Sequence, residues 1–264
     1  MDGGHEDPAV TSPPDSLVVQ AACKSLPAHQ YMDAATVAWI ASHRDEIPAP
    51  PRAPLPRLRP VVRQVVEATP VPVSWHAESR VVDSIHGTRH LVRTAALAAL
   101  LAEFYGLDQQ DTATLVVAAA VHDCRRVHDK DDPGHGERGA AWLAEHAAEV
   151  FGLFGVDHSP DRVLRAAVAV RLHEVPYDAF GERDTTEHAA AEQVTDVLKT
   201  ADALDRYRLP KQKWWPNDQF LRALPPPWLH SVAFELVVET ETARLDGADS
   251  AEAVCTALGG RGLL

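Results

Sequence analysis

Apolar residues in the chain recur at three and four positions from about residue 74 onward, which is the spacing of one face of an α-helix. The pattern is clearest in HLVRTAALAALLAEFYG and DTATLVVAAAVHD. No segment alternates apolar and polar residues convincingly enough to predict a strand. The pattern therefore predicts an all-α protein. Its expected helices cover residues 90–106, 111–123, 136–152, 161–174, 186–207 and 231–245.

The first 73 residues follow a less regular pattern. Residues 1–16 are small, polar and proline-containing, which is typical of a disordered tail. Residues 17–73 contain one predicted amphipathic helix at 33–46, capped by Asp33, followed by the proline-rich segment EIPAPPRAPLPRLRP. Proline at this density predicts an extended arm. A length of 264 residues favours one main domain, which we place at residues 74–264.

The composition narrows the possible partners and compartment. The net charge of −13 disfavours a nucleic-acid polymer as ligand, although a few arginines are enough to bind a small phosphorylated molecule. Three widely spaced cysteines without a CxxC pair predict a reducing compartment, which we expect to be the cytoplasm. Neither a signal peptide nor a membrane-spanning run is expected. The sequence leaves the oligomeric state open.

The segment AAVHDCRRVHDKDDPGHGERGA, residues 119–140, is rich in ionisable side chains, as a solvated loop can also be. However, His122 and Asp123 end a predicted helix, and Leu115 and Ala118 precede His122 by seven and four positions on the same face. An ionisable pair delivered to an apolar face is costly unless it is paired or bound to a metal. The first His-Asp doublet is therefore a candidate for metal binding.

The second doublet, His128 and Asp129, lies between Arg126 and Lys130 with no apolar face behind it. This setting predicts a loop, and we expect alanine substitutions of His128 and Asp129 to change little. Cys124 is rotated by about 100° from its neighbours on the helix. We therefore do not count Cys124 as a ligand.

Other predicted helices carry isolated polar residues on small or apolar faces. His90 opens its helix with His86 one turn before it, Asp202 interrupts an apolar stripe with Asp205 one turn later, and His173 ends its helix. Each residue alone is more typical of a hydrogen-bonded core or cap position. Because several helices each carry such a residue, the pattern as a whole favours a shared metal site.

The ordered motifs SIHGTRHLVRTAAL, VHDCRR, DPGHGERGA, LHE and TADALDRYRL resemble the HD-domain superfamily of metal-dependent phosphohydrolases. The resemblance covers roughly half of the chain, from Ser84 to Leu209. It implies an HD-type helical bundle that hydrolyses a small phosphorylated metabolite, with nucleotides included, by a metal-activated water. The implied ligands are His90, His122, Asp123 and Asp202 for a first metal, and His135 and His173 for a second metal, with Asp123 bridging.

This donor set, imidazole with carboxylate, favours one or two divalent ions of Mn, Fe, Co, Ni or Zn. Besides Asp123, the predicted catalytic residues are Arg125, Arg126 and Arg138, which would hold the phosphate. The alternative is that these arginines are solvated and pair with the loop aspartates. Some nucleotidase relatives carry a glutamate where this chain has Arg126, so the proton-transfer group stays open.

Two other classes of function remain compatible with the sequence. Some proteins of this fold use six ligands to hold two irons and oxidise their substrate with dioxygen. A non-catalytic domain that binds a metal or a nucleotide for regulation is the other alternative. The chain has no glycine-rich phosphate loop, so no motif identifies the substrate.

Overall fold

The computed structural model describes residues 15–50 and 54–264, and these residues form helices and connecting segments without strands. The predicted all-α class is therefore confirmed. Most of the predicted disordered tail, residues 1–14, lies outside the described residues. Ser16, at the end of that segment, accepts a hydrogen bond from Val19 N and caps the first helix.

The described residues contain twelve α-helices and several short 3₁₀ turns. The first six helices are α1 (Leu17–Ala22), α2 (Ala34–Ala41), α3 (Pro60–Glu67), α4 (Thr88–Tyr105), α5 (Gln109–Val121) and α6 (His135–Glu145). The other six are α7 (Ala147–Leu153), α8 (Pro160–Leu172), α9 (Glu182–Ala190), α10 (Glu192–Asp205), α11 (Pro227–Leu245) and α12 (Ser250–Gly260).

Several helix boundaries differ from those predicted by the apolar spacing. The segment predicted at 136–152 is broken at His146, and the one predicted at 186–207 begins earlier and is broken at Ala191, where the backbone leaves helical angles. The helix predicted at 33–46 begins after Asp33, as expected, but ends at Ala41. Helices α1, α3 and α12 were not predicted, because α1 and α3 are too short to show a clear repeat and α12 is rich in small residues.

Helices α5 and α10 lie at the centre of the bundle and pack against α4 and α8. Every residue of α5 from Thr112 to Val121 is buried, which is typical of a helix that is apolar all round. Helix α6 packs on α8, while α11 and α12 cover α4. None of the described helices has the length and apolarity needed to cross a membrane.

Five helix ends meet at one end of this bundle. His90 lies in the first turn of α4 and His135 is the first residue of α6. His122 and His173 are the C-cap residues of α5 and α8, and Asp202 lies in the last turn of α10. Each of these five side chains comes from a helix end, and the apolar core packs along the helices behind them.

Candidate metal centre

The first group of candidate ligands lies between α4, α5 and α10. His90 Nε2 is 3.0 Å from His122 Nε2 and 3.5 Å from Asp123 Oδ2. Asp202 Oδ1 lies 3.4 Å from His90 Nε2 and 3.8 Å from His122 Nε2. His90, His122 and Asp123 therefore form one compact group of ligand atoms, and Asp202 Oδ1 lies beside its two histidines.

The second group joins the first through Asp123. Asp123 Oδ1 is 3.1 Å from His135 Nε2 and 3.3 Å from His173 Nε2, and the two imidazole nitrogens are 3.0 Å apart. One carboxylate thus presents Oδ2 to the first group and Oδ1 to the second. Asp123 Oδ1 is buried and has no hydrogen-bond partner within the described part of the chain.

These separations fit the coordination of a metal ion. An ion about 2.1 Å from each ligand holds two ligands about 3.0 Å apart at a right angle and about 3.4 Å apart in a tetrahedron. Several pairs of these atoms are 3.0 to 3.8 Å apart, and all atoms within each buried group lie within 4.8 Å of one another. The buried His and Asp residues can therefore hold a metal ion.

The other ring nitrogen, Nδ1, of each histidine is occupied by an acceptor outside the cluster. Since carbonyl and carboxylate oxygens accept hydrogen bonds, each Nδ1 carries the hydrogen and each Nε2 directs its lone pair inward in the neutral ring. The Nδ1 partners are Asp205 Oδ2 for His90 (2.8 Å), Ala119 O for His122 (2.7 Å), Asp132 O for His135 (2.8 Å) and Val170 O for His173 (2.7 Å).

Asp123, the aspartate shared by the two groups, is surrounded by positively charged or protonatable side chains. Burial raises the pKa of Asp123, but Arg126, His122 and His135 outweigh burial and hold that pKa well below its usual range. Burial lowers the pKa of His135, but Asp123 and Glu174 raise it to about 10. A proton on His135 therefore balances the carboxylate when no metal cation does.

In the first group, His122 likewise gains proton affinity from neighbouring carboxylates. Burial lowers the pKa of His122, but the charges of Asp123 and Asp202 outweigh burial and raise it. Metal binding needs neutral imidazoles, so an ion and these protons compete for the same nitrogens.

A buried ion-pair network supports His90. Arg93 donates to both oxygens of Asp205, at 2.6 and 3.1 Å, and to Glu241 Oε1 at 2.8 Å. Glu241 also accepts from Arg89 Nε at 2.8 Å. This network fixes Asp205, which in turn fixes the orientation of the His90 ring.

Gly136 permits the close approach of α6 to the end of α8. A Cβ atom on Gly136 would lie 2.7 Å from Arg171 O and 2.8 Å from Val170 O. These distances are too short for any side chain, and the opposing atoms belong to the backbone. The absence of a side chain at Gly136 therefore brings His135 within reach of His173.

The three predicted phosphate-binding arginines occupy different surroundings. Arg126 is buried, and its Nη1 lies 3.7 Å from Asp123 Oδ2 and 3.2 Å from His135 Nε2. Arg125 donates to Trp75 O and stacks over the Trp142 ring.

The third of these arginines, Arg138, donates from Nη2 to both oxygens of Asp132, at 2.7 Å each. Of the contacts described for the three arginines, only those of Arg126 reach candidate ligands, namely Asp123 and His135. The catalytic role of all three arginines stays a prediction.

The second His-Asp doublet lies in a loop as predicted, but Asp129 is buried. Its carboxylate accepts hydrogen bonds from Gln30 N at 2.7 Å, Ser84 Oγ at 2.6 Å and His86 Nδ1 at 2.9 Å. The structure contradicts the solvated setting behind the expectation that Asp129→Ala changes little, because this substitution would leave three donors without their acceptor. The N-terminal segment supplies one of these donors, which no local sequence pattern reveals.

Two carboxylates next to the centre were not assigned a role from the sequence. Asp205 follows Asp202 by three positions, so helical spacing was the signal for it. Glu174 directly follows His173, and its Oε2 lies 2.9 Å from His135 Nδ1. Cys124, which was not counted as a ligand, is buried in the hydrophobic core, where burial raises the pKa of its thiol to about 12.

Comparisons with protein-family models, curated proteins and solved structures find no match to this chain. The fold and the site therefore define a helical protein with a buried His/Asp cluster that is compatible with metal binding.

Proposed function

We propose that this protein is a metal-dependent phosphohydrolase of the HD-domain superfamily that acts on a small phosphorylated metabolite. One observation carries the proposal: Asp123 is shared by two groups of ligand atoms whose histidines all have Nδ1 engaged outside the cluster. The order of the ligands along the chain also follows the order that the HD superfamily resemblance implies. Nucleotides are included in this substrate class.

The donor atoms favour a divalent transition ion, such as Mn, Fe, Co, Ni or Zn, at one or both groups. His90, His122, Asp123 and Asp202 would hold the first ion, while Asp123, His135 and His173 would hold the second. When bound, such an ion lowers the pKa of a water molecule and polarises a phosphoryl group. Asp205 and Glu174 would keep the rings of His90 and His135 in the orientation that metal binding requires.

The charges around the centre favour an anionic substrate. Two divalent ions bring more positive charge than Asp123 and Asp202 neutralise, and Arg126 adds a cation 3.7 Å from Asp123 Oδ2. A phosphoryl group balances this excess, and arginine is well suited to bind it. This local demand for an anion contrasts with the net charge of −13 for the whole chain.

The test combines metal analysis with phosphate release from a panel of phosphorylated metabolites. The stripped protein is reloaded with Mn or Zn and compared with Asp202→Asn, using the exposed loop variant Asp131→Asn as the matched control. We expect Asp202→Asn to lose more than about 100-fold of phosphate release because it removes one ligand charge. Full activity and full metal content in Asp202→Asn would contradict the assignment.

The same bridged set of six ligands also fits a second candidate, an HD-fold diiron oxygenase. An oxygenase needs iron that changes valence, whereas a hydrolase needs only a Lewis-acidic ion. Hydrolytic activity should therefore survive strict exclusion of oxygen and be restored by Mg, Mn or Zn. Oxygen consumption coupled to substrate loss, without phosphate release, would favour the oxygenase. Metal binding without any turnover would favour a regulatory domain.

A further inference from the structure

Arg208 is a buried cation that the ligand assignment does not use. It ends the short 3₁₀ turn Arg206–Arg208, which directly follows α10. Its side chain is 3% exposed, and its Nε donates to Ile85 O at 2.7 Å. Nη1 is buried and has no hydrogen-bond partner among the described residues. A buried guanidinium with an unmet donor is costly, so its retention calls for a partner.

The nearest carboxylate does not fill this need. Arg208 Nη1 lies 3.4 Å from Asp205 Oδ2, outside hydrogen-bonding geometry. Asp205 already accepts two hydrogen bonds from Arg93 and one from His90. Arg208 is therefore not required to neutralise Asp205, and its donor remains available.

Arg208 lies next to the first ligand group, because Asp205 Oδ2, 3.4 Å from Arg208 Nη1, also accepts the hydrogen bond of His90 Nδ1. Asp202 is the most exposed candidate ligand, with 25% of its side chain accessible, and it lies on the helix that leads into Arg208. Burial raises the pKa of Asp202, but His122, His90 and Arg208 hold it well below its usual range. The Arg208 charge is thus within electrostatic reach of the accessible ligand.

A second cation, Arg126, acts on the same region, as the neighbouring His86 ring shows. The His86 ring packs edge-on against His90, with centroids 5.8 Å apart. Burial, followed by the charges of Arg126 and Arg208, lowers the pKa of His86 to about 3. Both guanidinium groups therefore act on one ring at the edge of the centre, where the neutral His86 ring leaves their positive charge only partly offset by Asp123 and Asp205.

We propose that Arg208 binds an anionic oxygen group of the substrate beside the first ligand group, with Arg126 as the neighbouring cation. The planar guanidinium offers donors that match the oxygens of a phosphoryl group or a carboxylate. That the anion is a phosphoryl group rests on the proposed function. The requirement for an anion rests on Arg208 itself.

The test measures binding of inorganic phosphate to the metal-loaded full chain by calorimetry. Arg208→Gln removes the charge, Arg208→Lys keeps the charge without the planar fork, and Arg206→Gln is the neighbouring control, since Arg206 is exposed and donates to Trp214 O. We expect Arg208→Gln to weaken phosphate binding roughly 10- to 100-fold at unchanged metal content, because it removes a charged hydrogen-bond donor. Arg206→Gln should bind phosphate as the wild type does.

Arg208→Lys covers the case in which Arg208→Gln fails to fold. It should retain metal and melting temperature yet bind phosphate more weakly and raise KM more than it lowers kcat. Wild-type phosphate affinity in a folded, metal-loaded Arg208→Gln or Arg208→Lys protein would overturn the inference. A purely structural Arg208 would lower the melting temperature and leave phosphate affinity unchanged.

The outcomes separate this inference from the proposed function. If the wild type hydrolyses phosphate esters while both Arg208 variants keep wild-type KM and phosphate affinity, the inference fails and the function stands. If no ester is hydrolysed but phosphate binding depends on Arg208, the function fails and the anion site stands. Competition by acetate against phosphate then tests whether a carboxylate is the preferred anion.

Discussion

Gly136→Ala gives the sharpest test of how the fold builds the second ligand group. The new Cβ would lie 2.7 Å from Arg171 O, which is 0.7 Å short of the 3.4 Å at which ordinary contact begins. Because Val170 O also blocks it at 2.8 Å, the start of α6 must move away from the end of α8. That displacement exceeds the roughly 0.5 Å tolerance of a preorganised site.

We expect two separable effects of Gly136→Ala. Overpacking should lower the free energy of unfolding by about 1–3 kcal/mol, which is a fall of several degrees in melting temperature. Separation of His135 from His173 should weaken the second metal by roughly 10- to 100-fold, comparable with loss of an outer-shell partner, while the first metal is retained. Titration of metal-stripped protein with Mn, followed by calorimetry, measures both affinities.

Gly152→Ala is the matched control, because its Cβ would point into open space within α7. Alanine is the better helix former, so this variant should keep both metals and the melting temperature of the wild type or a slightly higher one. Two metals of unchanged affinity in Gly136→Ala would refute the argument that this glycine sets the distance between His135 and His173.

Three further predictions use other parts of the centre. Asp123→Ala should abolish metal binding and lower the melting temperature, and full occupancy by elemental analysis would contradict the bridging assignment. Asp129→Ala should lower the free energy of unfolding in urea by about 3 kcal/mol at neutral pH, because buried donors lose their acceptor, against little change for Asp131→Ala. Burial raises the pKa of Asp129, but its hydrogen bond to His86 outweighs burial and lowers this pKa. The stability difference between wild type and Asp129→Ala should therefore shrink as pH falls through the pKa range of the carboxylate. A constant difference down to pH 3 would exclude the ionised Asp129 carboxylate as its cause. The pKa of His135 is raised to about 10 in the folded protein, against about 6.5 in the unfolded chain, so the protonated ring stabilises the metal-free protein fully below pH 6.5 and this stabilisation is lost as pH rises towards 10. Metal loading at pH 8 should therefore release a proton from His135, which is measured as a binding heat that depends on the buffer. His135→Ala should not release this proton.

Local sequence was sufficient for the helical class and drew attention to five of the candidate ligands, while His135 entered only through the HD-superfamily resemblance. Apolar spacing identified the central helices, and His122 and Asp123 were notable because an apolar face leads into them. His90, His173 and Asp202 carried the same signal at the ends of other helices. This signal is local because helix geometry alone decides which residues share a face. That these residues hold a metal stays a prediction.

The tertiary structure decided what lies around those ligands. Asp129 resembled a solvated loop residue in the sequence, yet Gln30, which is 99 positions away, donates to its carboxylate. Arg208 and Glu241 likewise gain their surroundings from distant segments. Burial and charge pairing depend on which segments pack together, and such contacts leave no periodic trace in the chain. The sequence by itself therefore determined the helices and the ligand types, whereas only the packing decided how the charges are paired and that Arg208 Nη1 lacks a hydrogen-bond partner among the described residues.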